Sequence, residues 1–496
     1  MARSARKVLR ERPQRHPVAL GAALLCLQPL AVPAGEWDFT PRLSIGETYT
    51  DNVRLAEDGE RGDFITTITP GISVRGESPR LSTSIDYNLQ QLLYAHETRF
   101  DSTNHQLQGL ASATLVEDWL YFDTQSQVSQ QNIDNRGRIT NNNRGPDGNR
   151  RDVVSYEFTP RLEHTFGSWF NLSSSYTHQT LDQSGGATGF VGGNSSVEEA
   201  WQVSVGSGRR FARFPVRLTT LHRQVDFDDG RSFELKSYSG EGSYVLNRKL
   251  RMTATGGYDK NTFPTARGNN SGPFWTVGGT WTPSERTTLS GNWGNRFFGD
   301  TFNVSGNHRR RRLTISGGYS EQIQTANEFE RQLLLVPLLD PQGQPIFDPV
   351  TSSQILIPLE VPTVTNDTFL TKQVNASMSY TLRRGDVGVR FFQYDRQFQA
   401  GDFDELTRGA SLSSSWRLSP RLSWSLNLTW RSNERSNSDI DGNFYTLNPA
   451  VRYRLGPHTT AQFLYELTYN DGVGLGLGSG DRYVENALSA NLVFNL

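Results

Sequence analysis

Residues 411–431 read SLSSSWRLSPRLSWSLNLTWR, and this stretch contains the pattern that recurs through most of the chain. The apolar side chains of its second half fall on one parity: Leu422, Trp424, Leu426, Leu428 and Trp430. Serine, asparagine, threonine and arginine occupy the other parity, and the first half repeats the alternation. Side chains along a β-strand point alternately to opposite faces, so each half predicts a strand with one apolar face. Ser419 and Pro420 between them favour a tight turn.

This hairpin by itself fits two kinds of protein. In a soluble sandwich the apolar face would pack into a core, and the polar face would meet water. In an outer-membrane barrel the apolar face meets lipid and the polar face lines the lumen. Strands of about ten residues have the length that crosses a bilayer when tilted. The rest of the chain has to decide between the two.

The same period-two alternation recurs along the chain and predicts about 22 strands, an even number typical of bacterial barrels. It is clearest in residues 80–94, 119–128, 369–382, 460–470 and 488–496. Short connections alternate with long polar ones, as in outer-membrane barrels with short periplasmic turns and long external loops. Trp119, Trp169, Trp281 and Trp416 lie beside short turns, where an interfacial aromatic girdle is expected. We therefore predict an all-β, transmembrane, antiparallel up-and-down β-barrel over residues 35–496.

Composition excludes several other classes of protein. The chain has 496 residues, of which 35% are hydrophobic, and no run of about 20 apolar residues occurs beyond its N-terminus. This argues against helical membrane spans. The formal net charge of -1 gives no basic surface for nucleic acid, so we expect no nucleic-acid partner.

The first 34 residues predict a signal peptide that is cleaved near Ala34. Basic residues up to Arg15 precede an apolar stretch at 18–30, and Val32, Pro33 and Ala34 supply small residues before the cleavage point. The only cysteine, Cys26, lies inside this segment, so the mature chain is expected to lack disulfides. The predicted location is the outer membrane of the Gram-negative cell envelope.

No catalytic, cofactor-binding or metal-binding motif is evident. The histidines are scattered without the spacing of metal ligands. His178 lies near Ser175, but serines are so frequent in the strands that such proximity is expected by chance. We expect no enzymatic activity and no cofactor, and a lipid-modifying enzyme is a remote alternative.

Three connections have unusual compositions. Residues 325–367 contain two apolar arms about a Pro/Gly turn, which predicts a hairpin that either folds over or into the barrel mouth or projects outward toward a partner. Two strands longer than the membrane are the alternative. Residues 133–151 and 181–196 are rich in Asn, Gly, Arg or Ser and predict mobile external loops. The basic run Arg309–Arg312 falls at a periplasmic turn, where snorkelling arginines or a site for lipid phosphate are the alternatives.

Arginines on the polar parity near the C-terminus form a candidate lumen-facing basic stripe. Its members are Arg417, Arg421, Arg431, Arg452 and Arg454. An arginine on the lipid face at the bilayer midplane costs about 2–4 kcal/mol, so these side chains should face inward or lie near the headgroups. Such a stripe would attract anionic solutes, including acidic polysaccharide. Alternatively, the arginines pair with carboxylates on neighbouring strands and stiffen the wall.

The start of the predicted mature chain carries a signature of three parts. Residues 37–41 read WDFTP, residues 46–53 read GETYTDNV, and residues 63–65 and 69–72 read DFI and TPGI. This signature resembles the PEP-CTERM system-associated outer-membrane β-barrel family, a porin-like group. The resemblance implies an association with exopolysaccharide loci and the exosortase sorting system, and it assigns no functional residues.

These observations favour a channel or export component linked to exopolysaccharide and PEP-CTERM biosynthesis. The main alternative is a plugged structural or surface-interaction barrel without transport. The expected partners are outer-membrane lipid and lipopolysaccharide, the barrel-assembly machinery, and polysaccharide or export-system proteins.

Overall fold

The computed structural model describes most of the chain. The described residues are 35–133, 137–139, 142–146, 148–185, 195–263, 265, 268, 270–325, 368–399, 404–436, 442–472 and 482–496. The predicted signal peptide and the two apolar arms of residues 325–367 lie outside them, apart from the backbone of residue 325. Among the described residues, no helix is long and apolar enough to span a membrane.

The described residues form 22 strands, as the sequence predicted. The first eleven are β1 (Glu36–Thr50), β2 (Asp63–Ser78), β3 (Leu81–Tyr94), β4 (Ser102–Val116), β5 (Leu120–Asn132), β6 (Arg150–Phe166), β7 (Phe170–Ser184), β8 (Ser196–Ser207), β9 (Val216–Phe227), β10 (Ser232–Asn247) and β11 (Leu250–Asn261). The second eleven are β12 (Ser271–Ser284), β13 (Thr287–Arg296), β14 (Gly299–Arg310), β15 (Leu313–Thr325), β16 (Thr368–Thr381), β17 (Gly385–Phe398), β18 (Asp404–Arg417), β19 (Leu422–Arg435), β20 (Gly442–Arg454), β21 (Thr459–Asn470) and β22 (Tyr483–Asn495). Two 3₁₀ turns lie at Thr98–Phe100 and Arg209–Phe211.

Each strand pairs antiparallel with the next, and β22 pairs with β1 to close the sheet. Leu43 lies opposite Phe494, and Tyr49 lies opposite Leu488, so the C-terminal strand forms half of this seam. Closure leaves no unpaired sheet edge, which is a requirement for β-structure in a bilayer. The predicted all-β antiparallel barrel is confirmed.

The two faces of the sheet have opposite characters. Large apolar side chains are exposed on the outer surface, for example Leu218 at 60% and Phe463 at 57%. Polar side chains on the other parity face the lumen, and many are buried there, such as Thr48 and Asp86. This is the inverse of a soluble protein, because the exposed apolar surface is the one that contacts lipid.

Aromatic side chains form two bands on the outer surface. Trp119, Trp169 and Trp281 lie at the periplasmic ends of their strands and are exposed, as the sequence predicted. Trp416 lies at the same level, near the periplasmic end of β18 and opposite Trp424 on the neighbouring strand. A second band lies nearer the external ends and includes Trp201, Trp275 and Trp293. Such girdles mark the two membrane–water interfaces.

The sorting of connections by length is less strict than the sequence suggested. The external β13–β14 connection is only residues 297–298. The periplasmic β8–β9 connection is the longer one, at residues 208–215, and it contains a 3₁₀ turn. Arg311 and Arg312 do form a short periplasmic turn between β14 and β15. Loop length therefore indicates the two ends of the barrel only on average.

Candidate functional site in the lumen

The N-terminal signature GETYTDNV builds the seam where the barrel closes. Thr50 Oγ1 donates a hydrogen bond to Glu485 Oε1 at 2.9 Å. Asp51 accepts bonds from both the backbone N and the side-chain Nδ2 of Asn486, at 2.8 and 2.7 Å. Thr48 and Ser489 share a 2.8 Å hydroxyl contact. The signature therefore ties β1 to β22 with side-chain bonds beyond the backbone ladder.

Asn52 then turns the β1–β2 connection inward. Its Nδ2 donates to the carbonyl of Val484 at 3.0 Å and to the carbonyl of Ala56 at 2.8 Å, and its Oδ1 accepts from the Ala56 N–H at 3.0 Å. These bonds occupy both ends of a fully buried amide. Asn52 therefore both stabilises the turn after β1 and holds it to the start of β22.

The inward turn buries an apolar cluster inside the barrel. Val53 comes from the β1–β2 connection, Ile65 from β2, and Leu92 and Tyr94 from β3, with Phe100 packed against them. Leu55, from the same connection, is also buried. The cluster lies on the lumen parity, because Phe64 and Leu93 on the same strands point outward. Apolar packing therefore fastens this connection to the wall.

The described residues of the β5–β6 connection, which are 133, 137–139, 142–146 and 148–149, also reach the inner wall. Arg144 Nη2 lies 2.6 Å from Glu466 Oε2 on β21, and both side chains are almost completely buried. Asn142 donates to the other oxygen of Glu466 at 3.0 Å. Arg144 and Glu466 therefore form a buried, hydrogen-bonded ion pair in the lumen.

Further bonds fix the same loop on several strands. The Gly145 N–H donates to the Tyr94 hydroxyl at 2.8 Å, and Asn470 donates to the Gly137 carbonyl at 3.0 Å. The Ile139 N–H donates to Tyr483 at 3.2 Å, and the Tyr483 hydroxyl donates back to the Ile139 carbonyl. The described part of this loop is thus held on the lumen side of β3, β21 and β22, and it does not match the predicted mobile external loop.

The connections of β1–β2 and β3–β4 meet at an ion-pair group outside the strands. Arg54 Nε donates to Glu97 Oε1 at 3.0 Å, and Arg61 and Arg99 lie within 4.0 Å of the same carboxyl group. The bond from Arg54 lowers the pKa of Glu97 below its ordinary value. The group links the inward-turned β1–β2 connection to its neighbour.

The structure divides the predicted basic stripe in two. Arg417 ends β18, Arg421 lies in the β18–β19 turn, and Arg452 and Arg454 lie at the end of β20, so these four are at the periplasmic rim. Arg431 lies near the external end of β19, buried, with its guanidinium 5.0 Å from the ring centre of Phe444. The four that lie on strands, Arg417, Arg431, Arg452 and Arg454, occupy the lumen parity.

Several other charged groups on the inner wall are paired. Asp86 accepts from Ser73 and Arg75, each at 2.7 Å, and Arg42 approaches it at 3.5 Å. Across β17–β19, Glu405 bridges Arg396 and Arg435, with Arg396 at 2.7 Å. These networks link neighbouring strands, which is the stiffening role considered for the arginine stripe.

Ser175 and His178, the one catalytic pair considered from the sequence, are not brought together by the structure. Ser175 and His178 are three residues apart on β7, so their side chains point to opposite faces of the sheet. His178 instead lies 3.7 Å from Glu199 on the neighbouring strand. Among the described residues, no group of three or more His, Cys, Asp or Glu side chains could hold a metal ion.

Comparisons with known proteins bear on the fold. No family model matches the sequence, and no curated protein matches it, so the resemblance to the PEP-CTERM-associated family stays a prediction. The fold is similar to that of the FrpB iron transporter from Neisseria meningitidis, with 10% identity, a TM-score of 0.52, and coverage of 94% of this chain and 83% of that chain.

Two further solved structures give the same result. The ferric enterobactin receptor PfeA from Pseudomonas aeruginosa shares 12% identity with a TM-score of 0.52, and the match covers 94% of this chain and 82% of that chain. The ferric-catecholate import receptor Fiu from E. coli K12 shares 9% identity with a TM-score of 0.51, covering 92% and 82%. At these identities the likeness concerns the fold alone. The closed 22-stranded sheet, with its lipid-facing apolar surface, makes this protein an outer-membrane β-barrel.

Proposed function

We propose that this barrel passes solutes across the outer membrane, as a channel or export component. The observation that carries the proposal is the closed barrel whose inner wall is lined by polar and charged side chains. A polar lumen surrounded by a lipid-facing apolar surface is the architecture that lets water-soluble molecules cross. The named transport functions of the similar structures belong to barrels of the same fold.

The finer proposal is a role in exopolysaccharide and PEP-CTERM biosynthesis, with lipopolysaccharide, the assembly machinery and export proteins as partners. The resemblance of residues 37–72 supports it, and those residues build the closing seam. We also propose that the protein has no enzymatic activity, because Ser175 and His178 lie on opposite faces of β7.

A second candidate function is a plugged barrel that acts as a surface or structural element. The inward β1–β2 and β5–β6 connections favour it, since Arg144 and Val53 are both buried against the inner wall. An open channel would require these loops either to leave a passage beside them or to move.

Planar-bilayer recording with the purified, refolded barrel separates the two candidates. Steady single-channel currents are expected for a channel. Silence at all voltages, with correct folding shown by heat-modifiable gel migration, would reject the channel and favour the plugged barrel. Hydrolysis of lipid that is lost on replacing Ser175 or His178 would reject the absence of enzymatic activity.

A further inference from the structure

One region of the inner wall, on β13–β16, is uncharged at three successive lumen-facing levels. Thr288, Ser290 and Asn292 on β13 lie beside Asn307, Ser305 and Asn303 on β14. The next strands continue the same surface with Ser316, Gly318 and Ser320 on β15, and Ser377, Asn375 and Gln373 on β16. None of these side chains is ionisable and none is apolar.

The parity of these residues places them inside the barrel. Trp293, Phe302 and Ile315, which alternate with them along the same strands, are among the exposed apolar side chains of the outer surface. The small side chains leave a hollow of about 400 Å³, lined mainly by the hydroxyl- and amide-bearing residues of this region. That volume lies within the range of small-molecule sites, about 300–1,000 Å³.

The hydroxyl and amide groups of this hollow keep hydrogen-bonding capacity. Asn303 donates to Asn292 at 3.0 Å, and Ser290 and Ser305 share a 2.6 Å contact, which orients these groups. Within the described part of the chain, no side-chain hydrogen bond involves Asn307 or Asn375, and both side chains are exposed to the lumen. An amide offers two donors and two acceptor sites, and a serine hydroxyl offers one donor and two.

We propose that this hollow is a binding site for an uncharged, polyhydroxylated solute, namely a segment of neutral glycan passing through the lumen. Adjacent sugar hydroxyls both donate and accept, so a surface of mixed amides and hydroxyls can replace their water. An ionic solute gains less at these three levels, because none of their side chains supplies an opposite charge to compensate its lost hydration. The inference rests on the proposed passage function and names its solute class.

The test is interruption of the ion current by a neutral hexasaccharide, maltohexaose, compared with an acidic oligogalacturonate of equal length. The variant Asn307→Leu/Asn375→Leu removes two amide groups from the hollow and replaces each with an apolar side chain of nearly the same size. The control, Gln125→Leu/Gln127→Leu, removes two lumen-facing amides from β5 on another part of the wall. We expect the first variant to weaken block by maltohexaose about fivefold or more, from two lost hydrogen bonds, and the control to leave it unchanged.

Several outcomes would overturn the inference. They are no block of wild type by maltohexaose, equal block in the Asn307→Leu/Asn375→Leu variant, an equal loss in the control, or tighter block by the acidic oligomer. If the leucine variant fails to assemble, Thr288→Val removes one hydroxyl of the same hollow and should weaken block about threefold.

If the barrel conducts no ions, the channel proposal is rejected but glycan binding is untested. Binding is therefore also measured directly. Saturation-transfer NMR of maltohexaose with the detergent-solubilised barrel requires no current. A signal that is lost in the Asn307→Leu/Asn375→Leu variant and kept in the control supports the site even if conductance is absent. No saturation transfer to wild type rejects the site even if the channel conducts.

Discussion

Two parts of the inner wall, the seam and the far side, are built from the same kind of strand but carry different side chains. Around the seam, β21, β22 and β1–β3 present buried charges and hold two inward connections, through Arg144 with Glu466 and through Asn52. About half a turn away, β13–β16 form the far wall, which presents three successive levels of uncharged residues and no inward connection among the described residues.

The difference shows that the residues that close the sheet and the uncharged residues that line the lumen lie on different strands. Buried ion pairs need partners of good geometry, because an unpaired buried charge is destabilising. Such pairs fit the seam, where Glu466 and Glu485 meet Arg144 and Thr50. Small uncharged side chains need no charged partner, so those of the far wall can remain exposed in the lumen.

Breaking the ion pair of the seam should have the largest effect. Arg144→Ala leaves the buried carboxylate of Glu466 without its cation, which costs about 3–5 kcal/mol for a buried pair. We expect residues 137–149 to detach from the wall, with faster proteolysis of this loop and a higher single-channel conductance.

The control for this change is Arg248→Ala, in the β10–β11 periplasmic turn, which should alter neither quantity. Adding Glu466→Gln to Arg144→Ala should restore part of the protease resistance, since one unpaired charge is removed. Unchanged proteolysis and conductance in Arg144→Ala would show that the ion pair does not hold the loop.

Loss of the Asn52 side chain should have the next largest effect. Asn52→Ala removes the bonds to Ala56 and Val484 and leaves buried backbone groups unsatisfied, which costs about 1–3 kcal/mol. We expect a lower midpoint of heat-modifiable unfolding on gels. Asp58→Ala, at an exposed position of the same connection, serves as the control and should leave the midpoint in place. Equal midpoints for all three proteins would contradict a role for Asn52 at the seam.

The arginines of the predicted basic stripe test whether charge at the periplasmic rim of the lumen selects ions. Replacing Arg421, Arg452 and Arg454 together by Gln should reduce preference for anions, measured as a reversal potential in asymmetric KCl. Charges near water interact by about 1 kcal/mol at 4 Å, so the permeability ratio should change about fivefold or less. Arg431→Gln is compared separately, because that side chain is buried. A reversal potential unmoved by both changes would assign the arginines to the wall alone.

Acid should weaken the contact between the two connections at Glu97, with a small effect. The pKa of Glu97 is lowered in the folded protein, so its stabilising contribution is complete above the unfolded pKa and is lost as pH falls through the folded value. The relevant window is therefore below about pH 4. Hydrogen exchange of residues 53–61 should increase there in wild type, whereas Glu97→Gln should show the faster exchange already at pH 7. Identical pH profiles would contradict this role.

The far wall should tolerate change best. Asn307→Leu alone is expected to alter the free energy of unfolding by no more than about 0.5 kcal/mol, because the side chain is exposed in the lumen. Chemical denaturation of the detergent-solubilised barrel measures it, with Asn52→Ala as the reference for a structural amide. If Asn307→Leu lowers the free energy of unfolding as much as Asn52→Ala does, the amides of the far wall are as structural as those of the seam.

Most of the wall followed from the sequence alone. The period-two alternation predicted the strand number, and it placed Leu422 and Trp424 on the outer face and Ser423 and Ser425 on the inner face. This succeeds because the direction of a side chain in a strand depends only on local parity. Connection lengths were less reliable, as residues 208–215 illustrate, because turn length depends on how two strand ends are offset.

The tertiary structure alone decided which connections turn inward and what they contact. Arg144 and Glu466 are 322 residues apart, and Thr50 and Glu485 are 435 apart, so no local pattern relates them. The polar composition of residues 133–149 suits a solvated external loop and a docked one equally well, since both satisfy amides and charges. Only the closed sheet brings β21 and β22 beside β1–β3, and their buried carboxylates then provide the partners that hold this loop inside.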